Sequence, residues 1–414
     1  MNRDKETLVS WIKHDETKLI HFLSRFVQVK SPNPPGDTRA AAKYIGQFLD
    51  SQSLTYRIID PKPEFPNIVA SFDGGRPGKH LILNGHIDVF PADGDAQWIY
   101  DPWSGAIADG KIWGRGAADM KCGTTCSIFT YAYLHRIRHR LKGRLSLTAV
   151  SDEETFGPWG ADYLVKNYPE THGDCCLNGE PSSPLSIRFG EKGPLWLRFT
   201  ISTAGAHGAY THLTESASKI GARLIQDLDE IENIQCPTPD ILKSSLDRNR
   251  DSLDKALGAG ASKIVDKTTV NIGVVRSGVK VNMVPSECVI DADIRLPINM
   301  TPERVLETVD KIMHNYPQAS YQELNRNLPN WCDPNHEMVT FLQNNALQNG
   351  RPKPQPVCSL GGTDARLWRY INVPAFVYGP YPTGMGTINE YVDIEDFLHI
   401  LHTHVLSAYD YLTA

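Results

Sequence analysis

The spacing of apolar residues predicts alternating strands and helices in the first half of the chain. Short apolar runs are typical of buried strands, and apolar residues repeating every three or four positions are typical of amphipathic helices. Strands separated by helices favour an α/β unit with a mostly parallel sheet flanked by helices. The predicted strands are 67–72, 81–83, 112–113, 145–150 and 175–177, and the predicted helices are 123–134 and 161–166.

The pattern changes in the middle of the chain, where the order β-α-β-β-α-β is predicted. Apolar residues recur at helical spacing from Ile220 to Ile231. A second helix should follow Thr301 as N-cap, with Pro302 at its first position. This order is typical of a small ferredoxin-like α+β domain. The predicted strands are 195–202, 269–275, 288–295 and 320–324, and a polar insertion at 236–266 carries a predicted helix at 244–257.

The α/β pattern returns after this unit, which indicates that the middle domain is inserted into the first. A helix is expected from Asp333 to Gly350, a strand at 375–378 and a further helix at the C-terminal end. The chain has 414 residues, which is longer than a usual domain with one hydrophobic core, so two domains are favoured. The predicted division is a catalytic domain over 1–192 and 327–414 and an inserted domain over 193–326.

The composition argues against two classes of binding partner. Nucleic acids and anionic membranes bind basic surfaces, so the formal net charge of −6 is unfavourable for both. No apolar run reaches the ~18 residues of a membrane span, and the first residues lack a signal-peptide core, so we expect a cytoplasmic protein. The eight cysteines lack zinc-finger spacing and are predicted to be reduced, buried side chains.

The first candidate metal ligand is a histidine at the end of a predicted strand. His86 follows strand 81–83, and Asp88 lies two residues further on. Side chains two apart on an extended chain point the same way, and a metal-bound imidazole needs an acceptor on its other ring nitrogen. Asp88 is a candidate for that acceptor. In isolation, the pair is better explained as a polar strand end.

Four carboxylates follow at similar places. Asp119 ends a tight Gly- and Ala-rich turn, and one carboxylate can bridge two cations. Glu153 and Glu154 come after strand 145–150 and point in different directions, so one can bind metal while the other takes a proton from water. Glu180 ends another short strand and would complete an N/O shell with an open position. The alternatives are a helix cap for Asp119, a solvated acidic loop for Glu153 and Glu154, which is the preferred interpretation of that pair in isolation, and a loop acid beside a proline turn for Glu180.

Together these residues resemble the zinc-dependent family that includes succinyl-diaminopimelate desuccinylase, acetylornithine deacetylase, aminoacylase and glutamate carboxypeptidase. Segments 190–193 and 291–297 match this family well, segment 29–36 matches loosely, and the resemblance spans nearly the whole chain. It implies a metallohydrolase catalytic domain and an inserted lid and dimerisation domain. The implied roles are a first metal on His86, Asp119 and Glu180, a second on Asp119 and Glu154, Glu153 as general base, and Asp88 orienting His86.

The resemblance also implies residues that contact the substrate. His207 would cross a homodimer interface and stabilise the oxyanion in the partner's active site. Asn282, Arg295, Gly362 and Thr363 would bind the substrate's carboxylate and the oxyanion. For Arg295 a structural salt bridge is an equal alternative.

Two further features follow from the resemblance. The peptide bond after Asp119 is expected to be cis. The family also places a metal-binding histidine four residues before the last acid of His-x-x-(Asn/Asp)-Glu, and counting back from Glu390 reaches Gly386. Three interpretations stay open: one metal at the intact first site, a weaker second site completed by water or Asn389, or loss of hydrolysis. His399, His402 and His404 are predicted to be surface or packing residues rather than replacements.

The function implied is that of a metal-dependent amidohydrolase or metallopeptidase. It would cleave an amide in a small substrate that carries a carboxylate, an N-acyl amino acid or a dipeptide, by metal-activated water with Glu153 as base. The implied cofactor is Zn²⁺, with Co²⁺ or Mn²⁺ as alternatives, at one or two ions per subunit. The alternatives are a metallohydrolase of an unusual C–N bond with an altered second site and a catalytically silent small-molecule-binding homologue.

Overall fold

The computed structural model describes residues 3–92 and 97–414, and its strands form four sheets within those ranges. The strands are β1 (Arg57–Ile59), β2 (Asn67–Asp73), β3 (Arg76–His86), β4 (Ala106–Ala108), β5 (Lys111–Trp113), β6 (Lys142–Val150), β7 (Cys175–Asn178), β8 (Ser186–Glu191), β9 (Gly193–Ser202), β10 (Ala206–His207), β11 (Thr269–Ser277), β12 (Met283–Val284), β13 (Glu287–Leu296), β14 (Ala319–Arg326), β15 (Asn330–Trp331), β16 (Gln355–Ser359), β17 (Ala375–Val377) and β18 (Tyr391–Asp393).

Helices cover the sheets and form the N- and C-terminal parts of the described chain. They are α1 (Arg3–His14), α2 (Glu16–Gln28), α3 (Arg39–Ser51), α4 (Gly123–Arg136), α5 (Ala161–Asn167), α6 (Ala217–Leu228), α7 (Asp240–Leu257), α8 (Ala261–Ile264), α9 (Pro302–Met313), α10 (Glu337–Gln348), α11 (Ala365–Tyr370) and α12 (Ile394–Tyr411). An irregular helical turn, Ala117–Cys122, precedes α4.

The largest sheet has parallel strands at its centre. Its order is β1-β2-β6-β3-β7-β17-β8-β15, with β16 joined to β8. The neighbours β6, β3, β7 and β17 run parallel, whereas β1, β2 and β15 pair antiparallel at the edges. Parallel central strands are buried on both faces, and the last six residues of β3 and of β6 are all buried. The predicted α/β catalytic fold is confirmed.

Helix α4 lies in the middle of this part of the molecule. It packs on β3, β6 and α12, and every residue from Gly123 to Leu134 is buried. A helix that is buried all round has no polar face, which agrees with its small and apolar sequence. Its position fixes the turn before it against the ends of the central strands.

The inserted unit is a four-stranded antiparallel sheet with the order β11-β13-β9-β14. Helices α6 and α9 pack on it, and Ile220, Leu224 and Val305 are fully buried in its core. The Thr301 hydroxyl accepts a hydrogen bond from Arg304 N at 3.4 Å, as expected for the N-cap. The β-α-β-β-α-β order and the ferredoxin-like architecture are confirmed.

The polar insertion is more helical than its sequence predicts. Helix α7 begins at Asp240, four residues before the predicted start, and α8 follows it. Leu246 and Leu253 join the hydrophobic core of the large sheet, and Asn249 Nδ2 donates to Pro356 O at 2.9 Å. The insertion therefore packs on the first domain although the chain enters it from the second.

Several elements differ from their predicted extent. Helices α1 to α3 were not among the predicted elements, and α10 begins at Glu337, after His336 as N-cap, rather than at Asp333. All eight cysteines are free, as predicted. Among the described residues, every helix is too short or too polar to cross a membrane.

The histidines of α12 are packing residues. His404 is fully buried, and its Nε2 donates to the carbonyl of Tyr378 at 2.6 Å. His399 Nε2 contacts the Tyr378 hydroxyl at 2.8 Å, and its Nδ1 accepts from Asn349 at 2.9 Å. Burial lowers the pKa of His404 to about 4 and that of His399 to about 3. These rings are therefore neutral in the native state near neutral pH.

This burial predicts a loss of stability in acid. Between about pH 6.5 and pH 4 the unfolded state protonates His404 while the native state does not, so the free energy of unfolding falls as the pH falls. His404→Gln should reduce that slope by up to about 1.4 kcal/mol per pH unit. Urea unfolding of both proteins at several pH values within this window, referenced to pH 8, measures the difference. Equal slopes would contradict the prediction.

Candidate metal centre

The sheet order brings the predicted ligands to one edge. His86 ends β3, the Glu153 loop follows β6, and Glu180 follows β7. Because β6, β3 and β7 are parallel neighbours, their carboxyl ends meet at the same edge, where α/β proteins place their sites. Strand alternation and loop length then turn the three side chains toward each other.

Asp119 reaches this edge from the irregular turn before α4. The peptide bond between Asp119 and Met120 is cis, as the resemblance implies. The turn sits directly against the Glu180 loop, because a Cβ added at Gly123 would lie only 2.0 Å from Gly179 O. Glycine at both positions permits this approach.

Three donor atoms form a cluster that fits a metal ion. His86 Nε2 lies 3.3 Å from Asp119 Oδ1 and 3.3 Å from Glu180 Oε1, and donor atoms of the three residues all lie within 4.8 Å of one another. Metal–ligand bonds of ~2.1 Å in a tetrahedral site place neighbouring donors about 3.4 Å apart. All three residues are buried, and His86 Nε2 and Asp119 Oδ1 have no hydrogen-bond partner in the described chain.

The electrostatics also favour a cation. Burial opposes charge on His86, but the carboxylates of Glu180, Asp119 and Asp88 outweigh it and raise the pKa of His86 well above its usual value. Burial raises the pKa of Glu180 to about 8. A metal ion at these donors would need the imidazole neutral and the carboxylates ionised, and its charge would offset the cost of burying the carboxylates.

Asp88 contacts the loop of Glu153 and Glu154 in addition to His86, its predicted partner. His86 Nδ1 lies 2.9 Å from the Asp88 carbonyl oxygen and 3.5 Å from its carboxylate, so the closer acceptor is the main chain. The buried Asp88 carboxylate accepts from Asn33 Nδ2 at 2.9 Å and from the main-chain N–H groups of Glu153 and Glu154 at 3.3 and 3.1 Å. It therefore fixes the loop that carries both glutamates.

The second predicted metal position has fewer protein ligands than the first. Glu154 Oε1 is buried without a hydrogen-bond partner among the described residues, and burial followed by the charge of Asp119 raises the Glu154 pKa well above its usual value. Gly386 has φ +70°, and a Cβ built on it would have no atom within 4 Å. Asn389 Oδ1 accepts from Ile99 N at 2.8 Å, so the amide oxygen considered as a replacement ligand already has a partner.

The acid that ends this motif positions Asp119. Glu390 Oε1 accepts from the N–H groups of Ala118 and Asp119 at 3.0 Å each, and Oε2 accepts from Arg115 Nη1 at 2.7 Å. Burial raises the pKa of Glu390 to about 7. The C-terminal loop therefore holds the turn that carries Asp119, an interaction that the sequence did not predict.

Glu153 lies beside the three-residue cluster, with Oε2 4.0 Å from His86 Nε2. Burial, and then the charge of Glu180, raises the pKa of Glu153 well above its usual value. The buried guanidinium of Arg366 lies 3.6 Å from Glu153 Oε1 and over the Phe156 ring at 4.7 Å. Arg366 was not predicted as a partner of Glu153.

Arg295, Gly362 and Thr363 line a cavity of about 480 Å³ that opens onto the acidic cluster. Arg295 Nε lies 2.9 Å from Asp293 Oδ1, so the salt-bridge alternative is realised. Thr363 Oγ1 donates to Glu191 Oε2 at 3.1 Å. Aromatic and aliphatic side chains make up much of the wall, among them Phe90, Phe156, Trp196, Leu257 and Met385.

His207 and Asn282 do not reach this cavity within one chain. They lie on the inserted domain, where β10 pairs with β12 and Gly208 N donates to Asn282 O at 2.8 Å. Both side chains are exposed, and His207 lines a separate surface cavity of about 600 Å³.

The geometry predicts a single tight metal site. We expect the purified protein to bind one Zn²⁺ tightly, Glu180→Gln to lose it, and the matched Glu154→Gln variant to keep it, because Glu154 lies outside the three-donor cluster. Metal analysis after dialysis, together with calorimetric Zn²⁺ titration, measures this. Two ions of equal affinity, or loss of the tight ion in Glu154→Gln alone, would contradict the prediction.

Known proteins are similar to most of this chain. A sequence model of peptidase family M20/M25/M40 matches residues 82–408. An uncharacterised metallohydrolase of Methanocaldococcus jannaschii is 26% identical over 92% of this chain and 96% of its own. A succinyl-diaminopimelate desuccinylase of Methylobacterium radiotolerans is 26% identical over 84% of this chain and 85% of its own.

Solved structures share the fold. An M20 family metallo-carboxypeptidase from Sulfolobus solfataricus has a TM-score of 0.79 at 20% identity and covers 99% of both chains. A di-peptidase from Saccharomyces cerevisiae has a TM-score of 0.81 at 16% identity and covers 100% of both. A dinuclear metal-binding peptidase from Bacillus subtilis has a TM-score of 0.64 at 16% identity, covering 97% of this chain and 99% of its own.

Proposed function

This chain belongs to peptidase family M20/M25/M40 and is a hydrolase acting on C–N bonds, and from that premise we propose that it is a metal-dependent amidohydrolase. Its substrate would be small and carry a carboxylate, such as an N-acyl amino acid or a dipeptide. The observation that carries the proposal is the convergence of His86, Asp119 and Glu180 beside Glu153, where Asp119, Glu153 and Glu180 line one cavity.

The proposed chemistry assigns one task to each residue. His86, Asp119 and Glu180 would hold the ion, which when bound supplies a Lewis acid for the scissile carbonyl and for water. Glu153 takes a proton from the attacking water and passes it to the leaving amine nitrogen. Arg366 restrains the Glu153 carboxylate, and Asp88 restrains its backbone.

We propose that the first site alone supports turnover, with Zn²⁺, Co²⁺ or Mn²⁺ as the ion. Asp119 and Glu154 retain two carboxylates for a second ion, but Gly386 supplies no side-chain ligand and Asn389 is engaged elsewhere. An altered second site supports a second candidate, hydrolysis of a C–N bond outside the usual substrates of the family. A panel of N-acyl amino acids, dipeptides and ureido acids would separate the two candidates.

We further propose that two copies assemble through the inserted domain, residues 193–326, and that each lends His207 to the other's site. The region around His207 exposes Tyr210, Leu213, Val279 and Val281, with Val281 fully exposed. Contiguous exposed apolar side chains are typical of an interface. His207 would then donate to the oxyanion in the partner's cavity.

The general base has a direct test. Glu153→Gln keeps the size of the side chain but cannot accept the proton, so kcat should fall by about 10²–10⁴-fold while the bound metal is retained. Steady-state kinetics on the best panel substrate and metal analysis of the same sample provide the two measurements. Near-normal turnover would refute the role of Glu153, whereas metal loss would indicate a structural role instead.

Mixed dimers test the proposed role of His207. His207→Ala alone should reduce kcat by about 10²–10³-fold. Unfolding and refolding a mixture of Glu153→Gln and His207→Ala should restore part of the activity, because a hybrid dimer contains one site with both residues intact. The homotypic variants treated identically are the controls. A monomeric mass in dilute solution, or no recovery on mixing, would contradict the proposal.

A further inference from the structure

Arg188 is a buried cation in the wall of the catalytic cavity. Arg188 lies on β8 and is 7% exposed, and it lines the cavity together with Glu180 and Asp119. No described residue accepts a hydrogen bond from its guanidinium or pairs with it within 4.0 Å, and its Nε is buried without a partner. A buried guanidinium without an acceptor is costly, so this arrangement needs an anion to complete it.

The acids near Arg188 are committed to other groups. Burial lowers the pKa of Arg188, and the charges of Glu180, Glu191 and Asp119 oppose that change. Glu191 Oε2 accepts from Thr363, and Oε1 lies 3.4 Å from Arg369 Nη1 without a hydrogen bond from any described residue, so its charge is balanced by Arg369. Glu180 and Asp119 belong to the proposed metal set, whose charge a divalent ion would neutralise.

The other described cation that lines the cavity has a partner, because Arg295 pairs with Asp293 through two nitrogens. Arg366, which is not among the lining residues, lies near Glu153 and Asp364 at 3.6 and 3.7 Å. Among the described side chains that line this cavity, Arg188 is thus the cation whose guanidinium N–H groups all lack an acceptor. The planar guanidinium can donate two parallel hydrogen bonds to a carboxylate.

We propose that Arg188 binds the substrate's carboxylate, and that it, rather than Arg295, is the principal anchor for that group. The inference rests on the proposed amide hydrolysis only for the position of the scissile bond, which would lie at the acids beside Arg188. The apolar wall formed by Phe156, Trp196 and Leu257 would then cover an apolar part of the same substrate. A carboxamide of equal size should bind poorly, because it leaves the guanidinium charge uncompensated.

Equilibrium binding tests this without requiring turnover. The probes are phenylpropanoate and phenylpropanamide, which share a skeleton and differ in charge, titrated calorimetrically into the Zn²⁺-loaded full-length protein. The wild type should prefer the carboxylate. Arg188→Met should weaken carboxylate binding by about 10- to 100-fold and leave amide binding nearly unchanged. Arg188→Lys should recover part of the preference, because it restores the charge without the fork.

Arg295→Met is the matched control and should change the preference little, since Asp293 already occupies that fork. Thermal unfolding and metal analysis of each variant separate a binding defect from a folding or metal defect. The proposal is overturned if the wild type does not prefer the carboxylate, if Arg188→Met retains the preference, or if Arg295→Met removes it. Carboxylate binding that depends on Arg188 in a protein inactive on every panel substrate would refute the proposed reaction but not this anchor.

Discussion

Buried negative charge is the constraint around which this site is organised. Asp88, Asp119, Glu153 and Glu180 are all buried close to one imidazole, and burial alone raises the cost of ionising each carboxyl group. The structure offsets that cost in two ways. Main-chain N–H groups and the Asn33 amide donate to Asp88, and His86 Nε2 and Asp119 Oδ1 have no hydrogen-bond partner among the described residues and are available to a divalent ion.

Residues around the cluster also compensate buried negative charge. Glu390 is itself a buried acid, paired with Arg115, and it uses the remaining oxygen to hold the Asp119 turn through two N–H groups. The loop that has lost a ligand at Gly386 thus still positions the first metal site. This explains physically how one end of a metal-binding motif can change while its final acid keeps a structural task.

Residue order and spacing predicted the fold, and the family resemblance added to them predicted most of the candidate cluster. Apolar runs predicted β6, β3 and β7, and polar residues at strand ends predicted His86 and the glutamates, because parallel strands bring their carboxyl ends together. The same reasoning missed Arg188, which lies on a strand that the apolar pattern did not predict. An arginine has no local signature of function, and its importance depends on which acids are already paired nearby.

The insertion shows the same limit in a different way. Its polar sequence predicted a helix at 244–257 without a role, yet Leu242, Leu246 and Leu253 join the core of the large sheet, and Leu257 reaches the cavity wall. In addition, Lys192 Nζ donates to Ile264 O at 3.0 Å, so the insertion also contacts the junction between the two domains. Whether an amphipathic helix faces solvent or another domain is decided by long-range packing that no local pattern encodes.

The sequence by itself determined the α/β architecture, the inserted ferredoxin-like unit, and the absence of a histidine at position 386, because each follows from residue type and periodicity along the chain. Only the tertiary structure decided which polar groups are paired. It paired Asn389 with Ile99, Arg295 with Asp293 and Glu390 with the Asp119 turn, and it left the Arg188 guanidinium without a partner among the described residues. Pairing depends on distances of a few ångströms between residues far apart in the chain, and only folding sets those distances.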